Sequence, residues 1–309
     1  MDNSAGKEYE VIIIGGGPAG LSAAIYTSRA RLSSLLIERG IVGGQIINAE
    51  LVENYPGFPE GISGIELTQL MHQQATKYGL ATVVNEVTGI RLNGEQKIIR
   101  TTGGDYPAGA VIIANGSERQ KLGIPGEAEF TGRGVSYCAT CDAAFFREMT
   151  VAVVGGGNSA LTEAIHLSRF ASRVVVIHRR DQLRATRIVQ EKAMALPNME
   201  FLWDTVVESI EGDDFVQYLK VRNVKSGQQT RLDVSGFFIS IGIKPNTGYL
   251  KDLIPMDAAG AVITNDRMET EIPGIFAAGD IRHNSVWQVI AAAGDGAIAA
   301  IAAEKYLTG

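Results

Sequence analysis

Residues 11–25 read VIIIGGGPAGLSAAI, and 140 positions later the chain reads VAVVGGGNSALTEAI, residues 151–165. Gly15 aligns with Gly155, Gly17 with Gly157, Gly20 with Ala160, and Ser28-Arg29 with Ser168-Arg169. Each copy has the pattern of a buried apolar strand, a glycine turn, and a helix with apolar residues at helical spacing. A second apolar strand follows each helix, Ser34 to Glu38 in the first copy and Arg173 to His178 in the second. Each copy therefore opens a βαβ unit, and the chain is expected to hold two dinucleotide-binding modules.

The spacing G-x-G-x-x-G/A has a physical basis. The first glycine makes the tight turn, the second lets the backbone approach a pyrophosphate, and the third lets helix and sheet pack closely. The helix N-terminus then presents unpaired N–H groups to the phosphates. One such fingerprint is a weak signal. Two in register, each with both strands and the helix in place, are a strong one.

The modules differ where the second strand ends. The first copy has Glu38, a carboxylate able to accept hydrogen bonds from both hydroxyls of an adenosine ribose. The second has His178, then Arg179 and Arg180, with Arg184 beyond. No carboxylate awaits a 2′-hydroxyl there, and the arginines offer forked donors to a phosphate. The first site suits an unphosphorylated dinucleotide such as FAD or NAD, and the second suits NADPH.

Composition bounds the remaining possibilities. The chain has 309 residues, 45% hydrophobic and 20% charged, enough for two domains with full cores. The 36 glycines fall in short clusters without a collagen-like period. A net charge of −6 without any basic stripe argues against a nucleic-acid partner. Met1 to Glu10 is polar and lacks the apolar core of a signal peptide. The most apolar stretch, Val286 to Ala303, carries Gln288, Asp295 and several glycines, so it reads as a buried helix rather than a membrane span. With only two cysteines the protein does not rely on a disulfide framework, and a cytoplasmic location is expected.

Those cysteines form Cys138-Ala-Thr-Cys141. Thiols three residues apart can close a small disulfide ring, and such motifs often lower one thiol's pKa. Zinc is the rival, but it needs about four ligands and His72, His166, His178 and His283 form no ligand pattern with the pair. No metal site is expected, and buried inert thiols are a second alternative. Asp142 has two readings: an N-cap or first-turn acid for a helix through Ala143 to Met149, or a general acid delivering a proton to a departing thiolate.

Taken together, the chain resembles the low-molecular-weight thioredoxin reductases of bacteria, archaea and plants. The resemblance runs from GGGPAG (Gly15 to Gly20) through Gly43-Gly44-Gln45, Glu53-Asn54-Tyr55-Pro56-Gly57 and Cys138-Ala-Thr-Cys-Asp142. It continues through GGGNSA (Gly155 to Ala160) and His178-Arg-Arg-Asp-Gln-Leu-Arg184 to Gly274-Ile-Phe-Ala-Ala-Gly-Asp280. It implies an α/β fold of two Rossmann-like three-layer domains, with an NADPH-binding domain inserted in a split FAD-binding domain. The expected boundaries are 1–117 with 247–309 for FAD, and 118–246 for NADPH and the dithiol. The crossings are expected near Ser117 to Lys121 and Gly242 to Thr247. The bounding strands are expected at Ala110 to Ala114 and Phe237 to Ser240, with a last strand at Gly274 to Ala278 and a helix from Val286.

The resemblance also implies roles for particular residues. Gly15, Gly17, Pro18, Ala19, Gly20, Glu38, Arg39, Gly44, Gln45 and Asn54 would contact FAD. So would Val87, Gly116, Gly279, Asp280, Trp287, Gln288 and Val289. Gly157, Asn158, Ser159, Ala160, His178, Arg179, Arg180, Arg184, Ile241 and Gly242 would surround NADPH. Cys141 would face the flavin, Cys138 would attack the protein substrate's disulfide, and Asp142 would supply the proton. The implied enzyme is a homodimeric NADPH-dependent thioredoxin-disulfide reductase, with thioredoxin or a similar protein as partner. Because both the dithiol and the nicotinamide need the same flavin, the inserted domain is expected to swing about its linkers. A relative serving another disulfide carrier, or a ferredoxin or NAD(P)H oxidoreductase bypassing the dithiol, is the alternative. Two departures stand out: Ala114-Asn115-Gly116 where the family usually has Ala-Thr-Gly, and Trp287-Gln288 where many members have Arg-Gln.

Overall fold

The computed structural model describes residues 7–49 and 51–309; Met1 to Gly6, the polar opening, and Glu50 lie outside the described residues. The chain divides into two units, residues 1–118 with 244–309, and residues 119–243.

The first unit begins β1 (Tyr9–Ile14), α1 (Pro18–Arg29), β2 (Ser34–Glu38), α2 (Gly64–Thr76), β3 (Ala81–Val84). Three antiparallel strands follow, β4 (Val87–Asn93), β5 (Gln96–Thr101) and β6 (Gly104–Ile113). After a short strand at the crossing, β7 (Ser117–Arg119), the second unit runs β8 (Val135–Ser136), α3 (Ala139–Asp142), β9 (Thr150–Val154), α4 (Asn158–Leu167) and β10 (Arg173–Ile177). Then come α5 (Arg187–Met194), β11 (Met199–Leu202), β12 (Thr205–Gly212), β13 (Val216–Asn223), β14 (Gln229–Asp233) and β15 (Gly236–Ile239). The chain returns through β16 (Ile243–Pro245), which pairs with β7, and ends with β17 (Ile275–Ala277) and α6 (Val289–Thr308).

In the first unit the strand order is β3-β2-β1-β6-β5-β4. Strand β6 is shared along its length: Gly104 to Ala108 pairs with β5, while Val111 to Ile113 pairs with β17 on that same edge, because β1 holds the other. The inner strands are apolar on both faces, as a sheet covered on two sides requires. Val11 and Ile13 pack with α1, α2 and α6, while Ile12 and Ile14 pack with Leu250, Ile254 and Val262 on the opposite face. In the second unit a parallel sheet, β11-β10-β9-β15-β8, is flanked by the antiparallel β12-β13-β14. Val151 and Val153 face α4, and Ala152 and Val154 face the antiparallel strands. Each unit is therefore a three-layer sandwich set by the period-two alternation of its central strands.

Several expected boundaries move. The strand expected at Ala110 to Ala114 begins at Gly104, because its first half is held by β5, a partner invisible in local periodicity. Those expected at Phe237 to Ser240 and Gly274 to Ala278 run Gly236–Ile239 and Ile275–Ala277. The last helix starts at Val289 rather than Val286: Trp287 has φ 50°, which no helix accommodates, and Gln288 becomes the N-cap. That helix is buried on one face only, since Ile290, Ile298 and Ile301 are exposed. No regular helix spans Ala143 to Met149. The turn starts earlier, at Ala139, and continues as a 3₁₀ turn to Phe146. Among the described residues no helix is long and apolar enough to cross a membrane.

Candidate active site

In the first unit the expected flavin contacts collect at the carboxyl ends of the parallel strands. Gly15 N donates to Ile37 O, Ala114 N to Ile14 O, and Ala278 N to Ile113 O. These bonds bring the turns after β1, β2, β6 and β17 to one edge, where open α/β sheets bind ligands. A methyl at Gly20 would lie 1.8 Å from Gly15 O, so that glycine serves helix–turn packing. Gly17 is different. A methyl there would meet only Gly44 Cα, at 3.8 Å, and its φ of −75° suits any residue. Among the described residues nothing requires glycine at 17, which leaves the N-terminus of α1, a place that favours anions, open at that point. Pro18 and Ala19 form that first turn, and Gly44 packs against Gly17.

Glu38 turns its carboxylate toward the same turn, accepting from Gly16 N at 2.7 Å and Gly40 N at 3.1 Å. Arg39 pairs with Glu118 at 2.5 Å in an exposed bridge. Gln45 Nε2 donates to Ser117 O, and Asn54 Nδ2 to Gln288 Oε1 at 3.1 Å, which brings two distant expected contacts together. Val87 lies just beyond β3, which pairs with Glu38 through Val84. Gly116 and Gly279 occupy left-handed turns, and Asp280 accepts from Ser285 Oγ at 2.9 Å. Trp287 is partly exposed just before Gln288 and Val289. The departure at Asn115 has a structural explanation. Asn115 and Asn246 exchange side-chain-to-backbone bonds of 2.7 and 2.8 Å, and Tyr249 Oη donates to Asn115 Oδ1 at 2.9 Å.

In the second unit Gly157 repeats the pattern, for nothing lies within 4 Å of a methyl built there and φ is −94°. Gly155 is needed for packing, since its methyl would lie 2.5 Å from Ala160 Cβ. Arg184 N and Ala185 N both donate to Gly156 O, and Thr186 N donates to Asn158 Oδ1, folding the arginine loop back over the glycine turn. Arg179, Arg180 and Arg184 are exposed, and among the described residues none of their guanidiniums pairs with a carboxylate. They border a cleft of about 470 Å³. A second cleft of about 320 Å³, lined by Gly155, Gly156, Arg179, Arg184 and Ile241, continues along the strand ends. Gly242 closes the sheet edge by accepting from Gln120 N, and Ser159 is exposed in the first turn of α4.

His178 stands apart from the arginines. It is buried, its ring lies where a methyl on Gly156 would go, and its Nε2 is 3.1 Å from Gln182 O. Burial lowers its pKa, the Gln182 carbonyl partly offsets this, and the neighbouring arginines lower it further. Near pH 7 it is a neutral ring that shapes the loop, not a cation facing solvent.

Cys138 and Cys141 are joined as a disulfide with Cα atoms 5.4 Å apart. Cys141 is exposed and Cys138 half-buried, so the pair is not an inert buried couple. The N–H groups of Cys141 and Asp142 both donate to Cys138 O at 3.2 Å. Asp142 makes no side-chain cap for the 3₁₀ turn it precedes, but it does lie as an acid in the first turn of α3. Its carboxylate instead accepts from Ser136 Oγ at 2.5 Å, and Ser136 Oγ accepts from Cys138 N at 3.0 Å. Burial raises the Asp142 pKa, opposed by the Ser136 bond and Arg119. A carboxyl with raised proton affinity is thus tied through one hydroxyl to the cysteine backbone.

Three features escaped the sequence reading. Glu163, on α4, is largely buried with Arg119 Nη1 3.8 Å away, and its Oε2 has no hydrogen-bond partner among the described residues. Burial pushes its pKa up to about 7, opposed by Arg119 and Ser240. In sequence it looks like any helix-surface acid. Asp295 accepts two bonds from Arg282, at 2.5 and 2.9 Å, and one from Gly279 N at 3.1 Å. It therefore holds the turn carrying Asp280, and its only sequence signal is a carboxylate among alanines. Lys225 bridges Asp181 and Asp204 beside the arginine cleft. It lies 45 residues beyond Arg180, outside any motif.

Residues 9–296 match the family described as pyridine nucleotide-disulphide oxidoreductase, and the chain belongs to that family. It is 47% identical over 302 residues to a thioredoxin reductase of Bacillus subtilis, covering 97% of this chain and 95% of that one. Its identity to a thioredoxin reductase of Peptoclostridium acidaminophilum is 44% over 305 residues, covering 97% of each. Among solved structures, a thioredoxin reductase from Streptococcus pyogenes superposes with TM-score 0.94 at 47% identity, covering 97% of this chain and 98% of that one. One from Giardia duodenalis gives 0.93 at 33% identity, covering 98% and 100%.

Proposed function

We propose that the protein is an NADPH-dependent thioredoxin reductase, passing two electrons from NADPH by way of bound FAD to the Cys138–Cys141 disulfide and on to a thioredoxin. The observation that carries the reading is the solvent-reachable disulfide beside Asp142, in the unit that also bears the exposed Arg179, Arg180 and Arg184. In this reading residues 1–117 with 247–309 bind FAD, and residues 118–246 bind NADPH.

FAD, when bound, supplies the conversion of a hydride into thiol chemistry. The chain's own residues do the rest. Gly17 and the N-terminus of α1 would receive the FAD pyrophosphate, and Glu38 would accept from the ribose hydroxyls. Gly157 and the N-terminus of α4 would do the same for NADPH, whose 2′-phosphate the arginines would hold. Once the pair is reduced, the Cys138 thiolate attacks the partner's disulfide, forming a mixed disulfide and releasing one partner thiolate. Cys141 then attacks Cys138 Sγ, restoring the intramolecular disulfide and expelling the second thiolate. Asp142, with its raised pKa, holds a proton for a departing sulfur. Two electrons and two protons leave with the partner. Ile290, Ile298 and Ile301 share the outer face of α6, an apolar stripe that supports a homodimer. A cytoplasmic location fits the reduced thiols the cycle needs.

Anaerobic titration of FAD-loaded protein with NADPH, followed by thiol counting, tests the reading. Two new thiols per chain are expected. The Cys138→Ser variant should still lose its yellow colour with NADPH yet reduce no thioredoxin. A protein that takes up no FAD, or a Cys138→Ser variant that still reduces thioredoxin, overturns it.

A further inference from the structure

The arginine cleft contains charges that the HRRxxxR motif does not announce. Beside Arg179, Arg180 and Arg184 it is lined by two carboxylates, Asp181 and Asp204, and by Lys225. Two anions at the mouth of a phosphate site oppose its purpose. Lys225 addresses both at once, with Nζ 3.0 Å from Asp181 Oδ2 and 2.9 Å from Asp204 Oδ2.

Backbone geometry fixes the lysine there. Asp204 adopts a left-handed conformation at φ 51°, donates from its N–H to Arg180 O at 3.3 Å, and accepts at its own carbonyl from Val224 N at 2.6 Å. One residue therefore joins the end of the arginine segment to the β13–β14 turn. Asn223 organises that turn, its Oδ1 accepting from the N–H groups of Lys225 and Ser226 at 3.0 and 2.9 Å. The side chains of Lys225 and Asp181 are 63% and 64% exposed, whereas that of Asp204 is 15% exposed. The deeper carboxylate, without water to solvate it fully, has most need of a cation.

We infer that Lys225 is a specificity-determining residue for the 2′-phosphate of the nicotinamide coenzyme, acting by masking Asp181 and Asp204 so that the cleft stays attractive to a dianion. The inference rests on the NADPH reading and adds to it a residue outside the motif, together with a reason why acidic residues can line a phosphate cleft. With the lysine present the six side chains carry a net charge of +2; without it they carry +1, with both carboxylates exposed to the incoming phosphate. Its effect falls on ligands that carry the 2′-phosphate and not on the adenosine.

Calorimetric titration of FAD-loaded protein with 2′,5′-ADP and with 5′-AMP tests this without any turnover. The Lys225→Met variant keeps the stem and removes the charge. It should bind 2′,5′-ADP about fivefold more weakly at low salt, with 5′-AMP affinity unchanged and the difference shrinking as salt is added. Lys225→Arg should behave as the parent. Adding Asp181→Asn and Asp204→Asn to Lys225→Met should restore 2′,5′-ADP binding, because the masked charges are gone. Equal weakening of both ligands, no weakening of either, or a triple variant no better than Lys225→Met overturns the inference while leaving the NADPH reading standing. A parent protein that does not favour 2′,5′-ADP over 5′-AMP overturns both.

Discussion

Replacing Gly157 with alanine separates what the fold needs from what a ligand needs. The backbone at Gly157 has φ −94° and ψ 179°, which alanine adopts freely, and no protein atom lies within 4 Å of the new methyl. The ligand-free variant should be as stable as the parent, or more so by about 0.4–1 kcal/mol, because alanine restricts the unfolded chain. NADPH meets a different surface. In the proposed function the methyl would stand where the pyrophosphate approaches the first turn of α4, and displacing the phosphates would forfeit at least one charge-assisted N–H bond of roughly 1.5–3 kcal/mol. Binding should weaken by about 10- to 150-fold. Calorimetric NADPH titration and thermal unfolding of the ligand-free protein measure the two effects separately. Gly17→Ala should act the same way on FAD. Gly20→Ala is the contrasting control, since its methyl would lie 1.8 Å from Gly15 O and should cost stability before any ligand is added. A Gly157→Ala protein that folds normally and binds NADPH with parental affinity would refute the claim that this glycine makes room for the coenzyme.

Further outcomes follow from the buried charges. The Glu163 carboxyl, raised from 4.5 to about 7 by burial, favours the folded state below pH 4.5 and loses that contribution as pH climbs through 7. Glu163→Gln removes the loss, so urea unfolding should show the variant gaining roughly 2–3 kcal/mol more at pH 8 than at pH 5; a pH-independent difference refutes the cause. Asp295→Ala leaves the largely covered Arg282 without its anion and frees the Gly279 turn. It should cost about 3–5 kcal/mol in denaturant unfolding and lower FAD occupancy, and full FAD retention argues against the positioning role. Asp142→Asn keeps a partner for Ser136 but removes the transferable proton, so thioredoxin reduction should slow by about 10²–10⁴ while flavin reduction by NADPH, read at the yellow band, is unchanged.

The internal repeat was enough to place both glycine turns, because the strand–turn–helix pattern is local: each of its requirements is met within about thirty residues. Glu38, the arginines and the cysteine pair were legible for the same reason, each lying at a set distance from a fingerprint or within one short motif. What local reading missed depends on partners distant in the chain. β6 is longer than its apolar run because β5 and β17 share one edge of it. Nothing local to His178 shows that its ring is buried and packed against Gly156, because that contact joins the end of β10 to the turn after β9.

Sequence alone settled the two modules, their order and the redox-capable pair, since backbone sterics and residue spacing dictate these. Tertiary structure decided the charge environment. Burial depends on which elements close over a side chain, so the raised proton affinity of Asp142 and Glu163 could not be seen in advance. The same holds for Asp295 beneath the Asp280 turn and Lys225 between its carboxylates, because ion pairs form across space between residues whose separation along the chain carries no information.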